Sequence, residues 1–203
     1  MKYARLTLVL FIISLLSGLI VGGVYFTLKP TIAEVEQNRV NEATVSIFGT
    51  GYKAGTGLTE EEINNENIDS VFPVLNQQDE QEGYVIKLNA PGSYSGTLFI
   101  LVGVLNDGTV KDVAYLNMQE TSGIGTRVKG ENTGPKANPL FTLFGLEVTN
   151  EGGGKTDAWF NEQFAGYSGE KGLDTISGAT YSSKAVVNGV DVALDYYKEQ
   201  LAE

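Results

Sequence analysis

The chain has 203 residues, 14 of them Lys or Arg and 25 Asp or Glu, giving a formal charge of −11 at pH 7, and it contains neither cysteine nor histidine. That composition excludes disulfides, thiolate-held zinc or iron–sulfur clusters, histidine-ligated haem and histidine general bases within this polypeptide. Redox chemistry here would need a bound organic cofactor, and the excess of carboxylates makes the chain a poor ligand for nucleic acid.

From Leu6 to Leu28 run 23 consecutive uncharged residues. As a helix they would extend roughly 34 Å, enough to cross a hydrocarbon core of about 30 Å. A secretory signal has an apolar core of only about 7 to 15 residues, so the stretch reads as an uncleaved anchor through the lipid bilayer at residues 6–28. Lys2 and Arg5 precede it and only Lys29 follows before Glu34 and Glu36. The positive-inside rule therefore predicts a cytoplasmic N-terminus, with the main domain on the periplasmic or extracellular face of the cell membrane. Removing those three cations leaves 11 basic against 25 acidic residues from Pro30 onward.

Beyond the anchor (1–29), residues 30–83 read as a stem helix and connecting segment and residues 84–203 as the folded domain. Ile32, Val35, Val40, Ala43 and Ile47 form a partial helical stripe, which the glycines at 49, 51, 55 and 57 break. The acidic stretch from Glu60 to Asp69 reads as exposed and loop-like. Alternation at Tyr84, Ile86 and Leu88 predicts a strand, and the apolar run Thr97–Leu105 predicts a central one. Asn106-Asp107-Gly108-Thr109 is a turn signal, returning Val110–Asn117 as the other arm of an antiparallel hairpin.

That return strand delivers Gln119-Glu120-Thr121-Ser122-Gly123-Ile124-Gly125 to one end of the sheet. A long Gly-, Asn- and Pro-containing segment between Val128 and Thr156 then reads as a flap, in which Phe141, Leu143, Phe144 and Leu146 need cover. Thr156–Ala165 predicts a short helix stopped by Gly166, with Trp159, Phe160 and Phe164 on its apolar side. Packing in the core is the ordinary role for such a cluster, although one ring could edge a flat aromatic ligand.

The most informative run is Asp174-Thr175-Ile176-Ser177-Gly178-Ala179-Thr180. Apolar positions recur at helical spacing from Ala185 to Leu201, so a helix should begin near Tyr181 to Ser183 with Thr180 at its N-terminus. Unpaired backbone N–H groups and the helix dipole favour an anion there, and Gly178 and Ala179 leave the backbone approachable. The plainer alternative is a small-residue loop in which Thr180, Ser182 or Ser183 caps the helix.

The pattern Asp-x-x-Ser-Gly-Ala-Thr resembles the attachment motif of the covalent-FMN proteins, the family that includes the G subunit of the Rnf complex and the C subunit of the sodium-pumping NADH:quinone reductase. Glu120 to Gly125 resembles that family's Glu-Thr-Pro-Gly-Leu-Gly segment, with Ser122 in place of proline and Gln119 in a neighbourhood where many relatives have histidine. The resemblance implies an α+β fold, an antiparallel sheet packed with helices, preceded by one transmembrane helix. It implies FMN joined through a phosphoester to Thr180, with Ser177, Gly178 and Ala179 on the phosphate side and Glu120, Thr121, Gly123 and Gly125 lining the flavin side. Asp174 and Ser177 would be recognised by a magnesium-dependent flavin transferase acting on FAD; a loop cap is the equal alternative for Asp174.

No catalytic triad, metal cluster or nucleotide-binding glycine loop accompanies these residues, so the resemblance implies an electron-transfer subunit, not a stand-alone enzyme. Its partners would be the other membrane subunits of an ion-translocating ferredoxin:NAD+ oxidoreductase (Rnf) complex. Three alternatives stay open on sequence alone: the corresponding quinone-reductase subunit, a membrane-anchored binding or assembly module without flavin, and a stand-alone extracellular electron shuttle.

Overall fold

The computed structural model describes residues 2–58, 60–93, 96, 98–118, 120, 125–130, 157–170 and 172–202. The chain divides into two compact units, Met1–Val40 and Asn41–Glu203. Gln119, Thr121, Ser122, Gly123, Ile124 and residues 131–156 of the segment expected as a flap lie outside the described residues.

The first unit is helical. Helix α1 spans Lys2–Phe48 and contains Pro30, so the anchor and stem read from the sequence as separate segments form one helix. Proline removes one backbone donor and crowds the preceding turn, costs that a long helix can absorb as a local bend. Leu8 to Leu28 carry large apolar side chains at roughly half to three-quarters exposure. Among the described residues this is the one helix long and apolar enough to cross a membrane.

In the second unit five strands form an antiparallel meander in the order β1-β2-β3-β4-β5. They are β1 Lys53–Ala54, β2 Ile68–Leu75, β3 Gln81–Asn89, β4 Leu98–Leu105 and β5 Val110–Met118. With the helices this makes an α+β domain. The predicted hairpin is present: Gly108 adopts φ +80°, and Asp107 Oδ1 accepts from both the amide and hydroxyl of Thr109 at 2.9 and 2.6 Å. Those bonds hold the Asp107 carboxyl below its ordinary pKa.

Residues expected to form a connecting segment contribute β1, β2 and the four-residue helix α2, Glu60–Ile63. Strand β2 carries Pro73, which argues against a strand interior. The sheet accommodates it because β1 is only two residues long, leaving β2 close to an edge, and Pro73 still accepts a hydrogen bond from the Gly55 amide at 2.8 Å.

The pleat sends side chains alternately to two cores. On one face Val74, Val85 and Leu101 pack with Ala43, Ile47 and Phe48 from the last turns of α1. Gly103 lies under that contact, since a Cβ there would collide with Ile47. Gly49, at φ +105°, ends the helix and donates to Val45 O at 2.9 Å.

On the opposite face Ile86, Leu88, Ile100, Val102 and Val104 meet Val186, Val190, Ala193 and Leu194 of the C-terminal helix. That helix, α4, spans Thr180–Tyr196 and continues into a π turn, Tyr197–Leu201. The helix α3, Ala158–Glu162, precedes it. Phe160 and Phe164 of this region are fully buried and stack edge-on at 5.2 Å, whereas Trp159 remains 38% exposed. Gly166 adopts φ +76° and its amide donates to Val110 O, returning the chain to the sheet.

Candidate functional site

Four segments converge at the N-terminus of α4: Glu120, the 3-10 turn Gly125–Lys129, the start of α3, and the loop 172–179. Each is placed by a different physical device. Apolar burial of α4 against β3 and β4 fixes where its first turn must sit, and the loop is fastened to that turn by polar contacts.

Ser183, fully buried, donates its hydroxyl to Ala179 O at 2.8 Å and accepts the Ile176 amide at 3.1 Å. Ile176 is itself 1% exposed. Upstream, the Gln163 amide side chain acts as a two-pronged clamp on Asp174: its Nε2 donates to Asp174 O at 3.0 Å and its Oε1 accepts the Asp174 amide at 2.8 Å. Between these fasteners the loop emerges, and Ser177, Gly178, Thr180 and Tyr181 are all exposed.

Gly178 adopts φ +82°, a left-handed conformation that costs an L residue about 1 to 2 kcal/mol. Ala179 is the N-cap residue, and Ser183 N–H closes the helix's opening hydrogen bond onto Ala179 O. Thr180 is therefore the first helical residue. The first turn of α4 carries the partial positive charge of a helix N-terminus, which favours an anion. As for capping, the Ser183 hydroxyl locks the loop, the Ser182 hydroxyl is committed elsewhere, and Thr180 stays at the surface.

Ser182 donates to Glu120 Oε2 at 2.6 Å, with both residues buried. Gly125 fits against this pair so closely that a Cβ would lie 2.6 Å from Glu120 Cβ and 2.8 Å from both Glu120 Oε2 and Ser182 Oγ. Glu120 and Gly125, expected beside a flavin, thus tie their segment to the first turn of α4. Thr121 and Gly123 lie outside the described residues.

Two residues not singled out from the sequence complete the arrangement. Arg127 donates through Nη1 to Ser177 O at 2.8 Å. It also forks onto Asp157, Nε to Oδ2 at 2.7 Å and Nη2 to Oδ1 at 3.1 Å. Asp157 occupies the N-cap position of α3 but makes no side-chain cap there, because its carboxylate faces Arg127. An aspartate ahead of an aromatic helix is a legible start signal; its partner 30 residues earlier is not.

On the inner side of α3, Tyr115 donates to Asn161 Oδ1 at 2.7 Å. Burial, reinforced by the charge of Asp112, pushes the Tyr115 phenol well above its ordinary pKa. It therefore acts as a neutral hydrogen-bond donor joining β5 to α3.

The geometry offers an exposed hydroxyl residue at a helix N-terminus, backbone without side-chain bulk at Gly178, and a guanidinium alongside. It suits an esterified phosphate bearing a single negative charge, which a helix end and one neighbouring cation can accommodate.

Comparison with known proteins gives this arrangement a family. The chain is 26% identical over 206 residues to the G subunit of the Na(+)-translocating ferredoxin:NAD(+) oxidoreductase complex of Acetobacterium woodii, covering 96% of this chain and 91% of that one. It is 26% identical to the G subunit of the ion-translocating oxidoreductase complex of Shewanella piezotolerans, covering 82% and 68% of the two chains. For the protein of the same name in Vibrio cholerae the identity is 29%, covering 68% and 62%. The FMN-binding domain family matches residues 93–195, a span that takes in β4, β5, the Arg127 turn, α3 and the whole 172–180 loop. The chain belongs to the FMN-binding domain family.

Proposed function

We propose that Thr180 carries FMN covalently and that the protein is the G subunit of an ion-translocating ferredoxin:NAD+ oxidoreductase complex. The carrying observation is the exposed Thr180 as the opening residue of α4, at the end of Asp-Thr-Ile-Ser-Gly-Ala-Thr and inside the span matched by the FMN-binding family. The named relatives supply the complex. Helix α1 would hold the domain at the membrane, with Lys2 and Arg5 favouring a cytoplasmic N-terminus.

Bound FMN supplies one- and two-electron redox chemistry that no side chain here provides. The chain's own residues place it. Thr180 Oγ1 would be the atom esterified, losing its proton and displacing AMP from the FMN phosphorus of FAD under a magnesium-dependent flavin transferase. The N-terminus of α4 would accommodate the remaining phosphodiester charge. Exposed Ser177 and Gly178 would give the transferase access, with the small Ala179 buried behind them; Asp174 would be presented at the loop's entry by Gln163, and Glu120, Thr121, Gly123 and Gly125 would serve the flavin side.

Co-expression of the full chain with a flavin transferase tests this. A denatured band should fluoresce as flavin, with a mass increment of FMN less one water localised to Thr180. Thr180→Val should remove both signals and Thr180→Ser should keep them. Native protein isolated with an unmodified Thr180 would refute the assignment and leave a membrane-anchored module without flavin.

A further inference from the structure

The tip of the loop, Ser177-Gly178, is exposed, yet it lies between two firmly held residues, Ile176 and Ala179. Among the described residues one side chain reaches its backbone: Arg127, through Nη1 to Ser177 O at 2.8 Å. The same nitrogen would lie 3.6 Å from a Cβ built on Gly178, so the guanidinium runs beside the tip, two residues ahead of Thr180. It is not a loosely draped surface cation. The fork onto Asp157 fixes its plane, and the two side chains are 33% and 13% exposed.

We propose that Arg127 is the positioning residue of the attachment loop: held by Asp157, it sets the Ser177–Gly178 conformation that offers Thr180 for esterification. The inference rests on the reading that Thr180 takes FMN. A guanidinium has five N–H groups in a rigid plane. Three are engaged here, two by Asp157 and one by Ser177. A lysine ammonium carries the charge without the planar fork, so it cannot grip Asp157 bidentately and reach Ser177 O in the same pose.

The Ala179 amide donates to Ile176 O at 3.0 Å, closing a turn whose two central residues are Ser177 and Gly178, and Gly178, at φ +82°, takes the position where such a turn favours glycine. Glycine visits both signs of φ at little cost, so this turn can also form with its central peptide turned over. The Arg127 bond holds the Ser177 carbonyl of that peptide and so fixes which orientation is kept. The bond also spans 50 residues of sequence, coupling the segment that follows Glu120–Gly125 to the one that carries the hydroxyl.

The test uses the full-length apo chain in detergent, with purified flavin transferase, FAD and magnesium. It reads the initial rate of flavin incorporation and, separately, amide hydrogen exchange across 172–180 before any flavin is added. Positioning predicts that Arg127→Met slows incorporation by about tenfold or more and speeds exchange at Ala179, whose amide closes the turn onto Ile176 O. Asp157→Asn should do the same although it leaves the cation in place, and Arg127→Lys should recover little of the loss. If only positive charge matters, Asp157→Asn and Arg127→Lys will label as fast as wild type, which overturns the proposal. So does unchanged exchange in the folded variants. Should Arg127→Met fail to fold, Asp157→Asn and Arg127→Lys decide the matter. A wild type that labels no faster than Thr180→Val sinks the reading of Thr180 and this inference together; equal labelling of wild type and variants sinks this inference alone.

Discussion

The buried contact between Ser182 and Glu120 gives the sharpest quantitative test of how the first turn of α4 is held. Ser182 is 4% and Glu120 7% exposed, and their bond is 2.6 Å long. Ser182→Ala removes the donor and leaves the carboxylate in place. Glu120 retains a further interaction, so the loss is one hydrogen bond to a charged acceptor, about 1.5 to 3 kcal/mol. For a domain of this size each kcal/mol moves the midpoint by about 2 to 4 °C, so Tm should fall by about 3 to 12 °C. Unfolding of the full chain in detergent can be followed through its one tryptophan, Trp159. Glu120→Gln preserves shape and can still accept the Ser182 hydroxyl as a neutral partner, so it should cost less than Ser182→Ala. The double variant closes a cycle with a coupling of about 1 kcal/mol or more. Strict additivity, with Ser182→Ala within about 0.5 kcal/mol of wild type, would refute the claim that this bond fastens the Glu120–Gly125 segment to α4.

Gly125→Ala should destabilise by about 1 to 3 kcal/mol through overpacking, because the new Cβ meets Glu120 and Ser182 at 2.6 to 2.8 Å; thermal unfolding checks it. Gly178→Ala meets no such crowding, with Arg127 Nη1 at 3.6 Å as its nearest contact, and should lose only the left-handed strain of about 1 to 2 kcal/mol, an effect that Gly178→Asn should reduce. Gly83→Ala places a Cβ against the backbone carbonyl of Val104, which cannot rotate away. It should weaken the β3–β4 pairing, seen as faster amide exchange on both strands. Tyr167 donates to Asp191 at 2.9 Å, and burial followed by that carboxylate pushes its phenol from 10.0 to about 12. A folded-state pKa above the unfolded one means the contribution is complete below pH 10 and is lost as pH rises through about 12. Tyr167→Phe should flatten part of the fall in Tm over that window, leaving the share of Tyr115, Tyr196 and Tyr197, which are also raised.

Much of the sheet was legible because its signals are local. Alternation in Tyr84–Leu88, the apolar run ending at Leu105 and the Asn-Asp-Gly turn each specify a conformation within a few residues. Helix α4 was equally plain from its apolar stripe, and Thr180 opens it, one residue ahead of the expected start. Strand β2 was not, since Asp69, Ser70 and Pro73 disguise a segment whose pairing depends on β3 already being there. The same division runs through the site. Ser177 to Thr180 stand out because their chemistry is contiguous, whereas Arg127 and Asp157 acquire meaning only when folding brings segments 30 and 50 residues apart together. Glu120 was visible as a residue of interest, but its burial against Ser182 follows from close packing at Gly125, which no periodicity encodes.

The loop has a buried side and an exposed side, and the two set different requirements for any group carried on Thr180. Ile176, Ala179, Ser182 and Ser183 are buried and hydrogen-bonded or packed, so the peptide frame of the site is established before a ligand arrives. Ser177, Gly178, Thr180 and Tyr181 face outward, so these positions can surround an incoming phosphate only on its protein side. Contact from the described residues alone is shallow, and shallow contact gives modest reversible affinity, because little apolar area is removed from water and each ordered side chain subtracts from the gain. An ester bond on the proposed Thr180 hydroxyl removes affinity from the problem and leaves the frame one task, orientation. Rigid fastening at Ser183, Gln163 and Arg127 is what orientation demands, and a site selected for reversible capture would instead invest in depth.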